Sequence, residues 1–260
     1  MSLNGRSALI TGGGRGIGAA TAAALAGAGV RVGVAARTFA EVEDVAERLR
    51  ADGHDAFAFR CDVSDSSSVN ETARAAKQAM GRVDILVNNA GTAASNPLGR
   101  TTLDEWNRMM AVNATGTFLC ARAMLDGMVE NGWGRIVNVA SIAGLEGARY
   151  VTAYVASKHA VVGFTRALAK EVAGTGVTVN AVCPGWVDTP LTRMAIEGVV
   201  GKTGMSEGDA LAAILQESDQ PRIIEAGEVA ARIVELCNAG AATNGEALVI
   251  DGSDEQPDDT

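Results

Sequence analysis

The chain has 260 residues, room for one large α/β domain or two small ones, and 47% of them are apolar, enough for a sizeable core. Aromatics make up only 4%, so Ala, Val, Leu and Ile must build that core, while a net charge of −9 from 22 basic and 31 acidic residues opposes binding to a phosphate backbone. With no basic tract, no aromatic–basic interleaving and no run near the ~18 apolar residues of a membrane span, neither nucleic acid nor a membrane is an expected partner.

Strand-like and helix-like segments alternate from the start. SALIT (7–11) is a short apolar run ending in glycines, and an Ala-rich helical stretch follows over 16–29. RVGVAA (31–36) reads as a second strand and FAEVEDVAERLRADG (39–53) as a charged amphipathic helix. AFAFRCDV (56–63) is a third strand, SDSSSVNETARAAKQAM (64–80) a polar-capped helix, and DILVNNAG (84–91) a fourth strand. A helix around 102–130 leads to a fifth strand, GRIVNVAS (134–141). Residues 152–173 are helical in character, VTVNAVCPG (177–185) is a sixth strand and EALVID (246–251) a seventh.

This alternation predicts a single doubly wound, Rossmann-like α/β domain over residues 1–252, a mostly seven-stranded parallel sheet with helices on both faces. The strands are Val/Ile/Ala-rich rather than alternating, as strands covered on both faces should be. Residues 190–225 have scattered glycines and no clean period and are read as a mobile helical flap over the substrate, and the acidic end 253–260 as a disordered tail. Cys61, Cys120, Cys183 and Cys237 show no C-x-x-C spacing, and only His54 and His159 accompany them. Neither a metal site nor a disulfide framework is expected, and buried free thiols point to a reducing compartment. MSLNGRSALIT lacks the basic start and apolar core of a signal peptide, so a cytoplasmic location is expected.

After the first strand comes TGGGRGIG (11–18). Gly12, Gly16 and Gly18 there let the backbone turn sharply, approach a pyrophosphate and pack a helix on the sheet. An acid at the end of the second strand would favour a nucleotide without a 2′-phosphate, but Ala35, Ala36 and Arg37 stand there. Arg37 and Arg15 both suit a 2′-phosphate, so NADPH is preferred over NADH, with NAD(H) still possible; the plainer alternative is two solvated arginines.

TGGGRGIG, NNAG (88–91), Asn113, Ser141 and YVASK (154–158), in this order and spacing, resemble the short-chain dehydrogenases/reductases, and PGWVDT (184–189) is similar to the family's segment on the nicotinamide side. The resemblance runs from about residue 5 to 252. Within the family, GRIVNVAS, SKHAVVGFTRALAKE (157–171) and VTVNAVCPGWVDTP (177–190) are most similar to polyketide ketoreductases and 3-oxoacyl-thioester reductases. Cofactor contacts implied by the resemblance are Gly12, Gly14, Arg15, Gly16, Ile17 and Gly18 in the loop, then Arg37, Asp62, Val63, Asn89, Ala90 and Gly91, and finally Pro184, Gly185, Val187 and Thr189, with Tyr154 and Lys158. Asp62 and Thr189 also read as ordinary turn or loop residues.

The residues define a reaction type. Reducing a carbonyl takes a proton as well as a hydride, and Tyr154 is placed to give one. A free phenol has a pKa near ~10, and a nearby cation lowers it. Lys158 lies four residues on, on the same helix face, whereas Tyr150 has no such lysine. Ser141, closing the fifth strand, is a candidate to hold the substrate oxygen, with a turn cap as its alternative. By resemblance, Lys158 would also bind the nicotinamide ribose. Asn113 would distort its helix and hold a water that links Lys158 to solvent, its alternative being a locally bonded polar group. The expected activity is NADPH-dependent reduction of a ketone, a 3-oxoacyl thioester or a polyketide-like carbonyl, to a secondary alcohol. NAD-linked oxidation of a secondary alcohol or 3-hydroxyacyl group is the alternative, and a non-catalytic dinucleotide sensor a remote one. Ala160, Val161, Val162, Phe164 and Leu168 make the 153–172 helix apolar nearly all round, so a second subunit is expected to cover part of it, burial within the monomer being the plainer alternative; the resemblance implies a homotetramer or homodimer with this helix and the 102–130 helix at a dimer interface.

Overall fold

A computed structural model describes residues 2–253. Seven strands form one parallel sheet in the order β3-β2-β1-β4-β5-β6-β7. They are β1 (Ser7–Thr11), β2 (Arg31–Ala36), β3 (Ala56–Arg60), β4 (Ile85–Asn88), β5 (Gly134–Val139), β6 (Val177–Pro184) and β7 (Ala247–Ile250). Every residue of β1, β4, β5 and β6 is buried, which explains their predominantly apolar character, the polar exceptions such as Asn88 and Asn138 bonding each other inside the sheet. The order reverses between β1 and β4, and the carboxyl ends of those neighbours open the crevice where doubly wound sheets bind ligands.

Helices cover both faces. One face carries α1 (Gly16–Gly27), α2 (Phe39–Ala51) and α9 (Ala226–Asn238), whose Leu25, Val42, Leu49, Ile233 and Leu236 share a core with the strands. The other carries α3 (Ser66–Met80), α5 (Gly116–Glu130) and α6 (Thr152–Glu171), contributing Val69, Met80, Met124, Met128 and Leu168. Residue α9 boundaries were not legible by period alone; its start is fixed by a capping box in which Glu225 and Glu228 each bond the other's backbone.

Three segments add detail to the expected outline. The helix expected over 102–130 is broken into α4 (Leu103–Met109), a π-helical turn over Met110–Thr115, and α5. Within 190–225 the chain forms α7 (Pro190–Thr203) and α8 (Glu207–Glu217), started by the Thr189 and Ser206 side chains, which accept from Thr192 and Asp209 amides. And part of the apolar surface of α6 is covered within this chain, Val161, Val162 and Leu168 being buried. Of the expected 253–260 tail, 254–260 lie outside the described residues. Among the described residues no helix is long and apolar enough to cross a membrane, and all four cysteines are free and buried.

Candidate active site

The glycine loop leaves β1 through Thr11 and turns at Gly12 (φ +63°), where a Cβ would lie 2.9 Å from both Ala90 Cα and Asn89 Nδ2. A second left-handed turn at Gly16 (φ +53°) feeds α1. Arg15 stands at the N-cap of α1 with no side-chain cap bond, and the first turn holds no acid, so the leading N–H groups remain available to an anion. Asn89 pins this loop to the end of β4: its Nδ2 donates to the Thr11 and Gly12 carbonyls, both at 3.0 Å. In return Thr11 Oγ1 accepts from the Asn89 and Ala90 amides, each at 3.1 Å.

A cleft of about 270 Å³ runs from Arg37 and Thr38 along this loop to Ser141, Tyr154 and Lys158, and ends at Leu191 and Met194. Every candidate site residue lines it except Gly18 and Asn113, which lie behind its wall. Gly18 is needed for packing, since a Cβ there would collide with the Gly12 carbonyl oxygen and lie 2.5 Å from Asn89 Nδ2. An extended groove bounded by a bare glycine loop and an uncapped helix N-terminus fits a dinucleotide.

Tyr154 and Lys158 sit one turn apart on α6, facing the end of β5. Burial pushes the Tyr154 phenol up from 10.0, while a hydrogen bond with the Ser141 side chain pulls the other way. Burial also draws the Lys158 ammonium down from 10.5 to about 8, against a small upward pull from Cys183. Lys158 Nζ donates to the Val139 carbonyl at 2.8 Å and lies 5.7 Å from the centre of the Tyr154 ring. In the nucleotide-free chain, burial is the larger influence on the phenol. The cation is engaged by a backbone carbonyl and itself weakened by burial, so desolvation of the phenol wins.

Asn113 lies in the π-helical turn with its side chain turned inward, 1% exposed. Its Oδ1 accepts from Thr92 N at 2.8 Å, and its Nδ2 donates to Thr92 O and Ser157 Oγ, both at 2.9 Å. The amide thus ties the loop after β4 to α6, its bonds going to Thr92 and Ser157. The ordinary alternatives are realised as well. Ser141 Oγ accepts from Ala143 N at 3.1 Å, Asp62 Oδ1 from Ser64 N at 3.0 Å, and Thr189 caps α7. Each holds its place on the cleft through a local structural bond.

Several supporting residues were not expected. Thr11, Thr92 and Ser157 anchor site residues through bonds between distant parts of the chain, which sequence spacing does not encode. Gln220, 5% exposed, accepts from Trp186 N at 2.7 Å and donates to Trp186 O at 2.9 Å, clasping the loop that carries Gly185 and Val187. Glu41 lines the outer end of the cleft and pairs with Arg15 at 3.6 Å.

A family model described as short chain dehydrogenase matches residues 6–199. The chain belongs to the short-chain dehydrogenase family. This short-chain dehydrogenase is 38% identical over 253 residues to a 3-oxoacyl-(acyl-carrier-protein) reductase of Pseudomonas aeruginosa, 97% of this chain and 98% of that one. It is 37% identical over 245 residues to a D-beta-hydroxybutyrate dehydrogenase of Cupriavidus necator, 92% and 93% of the two chains. A solved structure of a variant of actinorhodin polyketide ketoreductase with NADPH superimposes with a TM-score of 0.90 at 37% identity, covering 95% of this chain and 96% of that one. These relatives reduce or oxidise at a carbonyl–alcohol carbon, and the fold and the oxidoreductase class are common to them.

Proposed function

We propose that this chain reduces a ketone, a 3-oxoacyl thioester or polyketide-like carbonyl, to a secondary alcohol with NADPH, and that Tyr154 is the proton donor. The observation that carries the reading is the meeting of Ser141, Tyr154 and Lys158 at the carboxyl edge of β5, in the same cleft as the glycine loop. A reduced nicotinamide bound in the cleft supplies hydride to the carbonyl carbon. Ser141 holds the substrate oxygen, and Tyr154 gives it the phenolic proton. The Tyr154 phenol is protonated at neutral pH and so able to donate, but burial makes it a weaker acid than a free phenol, so efficient donation depends on the cationic Lys158 and the bound nucleotide bringing its pKa down. Lys158, held by Val139, fixes the cationic end of the site and is placed to bind nucleotide hydroxyls. Leu191 and Met194, 42% and 63% exposed, offer an apolar wall to an acyl chain at the end of the cleft.

Oxidation of a 3-hydroxyacyl compound with NAD is the second reading, supported by the hydroxybutyrate dehydrogenase relative. A panel of 3-oxoacyl thioesters, free ketones and 3-hydroxy acids, each with both nucleotides and followed by nicotinamide absorbance, separates the two. Faster turnover of ketones with NADPH supports the proposal, and turnover confined to hydroxy acids with NAD overturns it.

We also propose that α5 and α6 pair with a second copy of the chain. Phe118, 41% exposed, meets Phe164 edge-on at 6.3 Å, and Arg122 covers its ring at 5.0 Å. Light scattering should give a dimer or tetramer that Phe118→Glu dissociates; a monomeric parent chain contradicts the pairing.

A further inference from the structure

The outer end of the cleft holds two guanidinium groups, Arg15 and Arg37, and two carboxylates, Asp62 beside Arg37 and Glu41, which pairs with Arg15. Glu41 lies in the first turn of α2, where an acid is favourable for the helix in its own right. Its geometry adds a second role. Glu41 Oε1 lies 3.6 Å from Arg15 Nη1. Its side chain also packs over the glycine loop so closely that a Cβ on Gly14 would lie 2.8 Å from Glu41 Cβ and 3.3 Å from its Oε2. Gly14 is bare because Glu41 occupies that space, and the carboxylate is held above the loop within reach of the same guanidinium that a phosphate would need.

An ion pair this exposed, with side chains 65% and 39% accessible, is weak, so Arg15 is not locked away from a ligand. The carboxylate nonetheless acts in opposite directions on two ligands. A phosphomonoester carries nearly two negative charges and meets both competition for Arg15 and repulsion from Glu41. A ribose hydroxyl is uncharged and can donate a hydrogen bond to a carboxylate.

Resting on the reading of the cleft as a nucleotide site, we propose that Glu41 is a specificity-determining residue. It reduces the preference for a 2′-phosphate that Arg15 and Arg37 create, and so keeps the unphosphorylated nucleotide usable.

Calorimetric titration of 2′-phospho-ADP-ribose and ADP-ribose tests this without catalysis. Glu41→Gln should tighten 2′-phospho-ADP-ribose about tenfold, as removal of a charge close to a multiply charged anion in a half-exposed site implies. ADP-ribose should bind equally or more weakly. Glu41→Ser, which also removes the charge, must move the ratio the same way. In an Arg15→Ala background the gain should shrink to less than about threefold, because the competition runs through Arg15. Equal changes for both ligands would mean that Glu41 only packs the loop, and an unchanged ratio would mean that it has no part in selection; either result overturns the inference. Failure of the NADPH reading looks different: the parent chain and Glu41→Gln would both bind ADP-ribose more tightly than its 2′-phosphate.

Discussion

Replacing Lys158 by methionine should stabilise the nucleotide-free protein while removing its carbonyl reductase activity. Lys158 is 6% exposed, and burial lowers its pKa from 10.5 to about 8. At ~1.4 kcal/mol per pH unit, that gap means the folded chain bears a cost of about 3 kcal/mol for keeping the ammonium charged. Methionine fills a similar volume without charge, and loses the bond to the Val139 carbonyl, worth ~1 kcal/mol. The net gain is about 2 kcal/mol, or roughly 4–8 °C in Tm for a chain of this size. The sign with pH follows from linkage. The folded value lies below the unfolded one, so the folded parent binds fewer protons between about 8 and 10.5, and its stability rises through that window. The variant's advantage is therefore complete below about pH 8 and fades toward 10.5. Urea melts of both proteins at about pH 7 and about pH 10, without nucleotide, measure it. A variant less stable than the parent at neutral pH, or an advantage unchanged between the two conditions, would refute the reasoning.

Other consequences are open to direct measurement. Gly18→Ala forces a Cβ against the Gly12 carbonyl and Asn89, so it should cost about 1–3 kcal/mol in thermal melts and weaken nucleotide binding; a neutral substitution would mean that the loop is slack. Gln220→Leu strands the half-buried Trp186 N–H, at ~1–3 kcal/mol, while the Trp186 carbonyl keeps the Ile224 amide, and it should raise the nucleotide KM while kcat falls less. If kcat alone falls, Gln220 does not act through the loop. Reduction should slow as pH rises through about 8, where Lys158 of the free enzyme loses its proton, giving a falling limb in kcat/KM. A profile flat to about pH 10 would separate Lys158's charge from turnover.

The sheet was legible because its inner strands are buried on both faces and so read as predominantly apolar runs, Ala8, Leu9 and Ile10 of β1 being 0–1% exposed. The glycine loop and the Tyr154–Lys158 spacing were legible because they are local: a turn, and one helical repeat. What sequence did not reveal depends on contacts between distant segments. The distortion of the helix at Asn113, expected from the resemblance, is there as a π-helical turn, but its partners Thr92, 21 residues away, and Ser157, 44 away, are not encoded by spacing. Gln220 reaches across 34 residues to Trp186. The i,i+4 spacing of Tyr154 and Lys158 does not encode how deeply the pair is buried, nor that Lys158 Nζ donates to the Val139 carbonyl. Helix α9 went unassigned although Val229, Ala230, Ile233 and Leu236 carry a helical period behind the Glu225–Glu228 box.

The most direct test of the account is single-turnover reduction of a 3-oxoacyl thioester by the NADPH-loaded parent chain and by Tyr154→Phe. Loss of the proton donor should slow the hydride step about 10²–10⁴-fold, with nucleotide affinity changed less than about twofold. Reduction by the phenylalanine variant at a rate close to the parent's would contradict the assignment of Tyr154, and with it the proposed chemistry of the cleft.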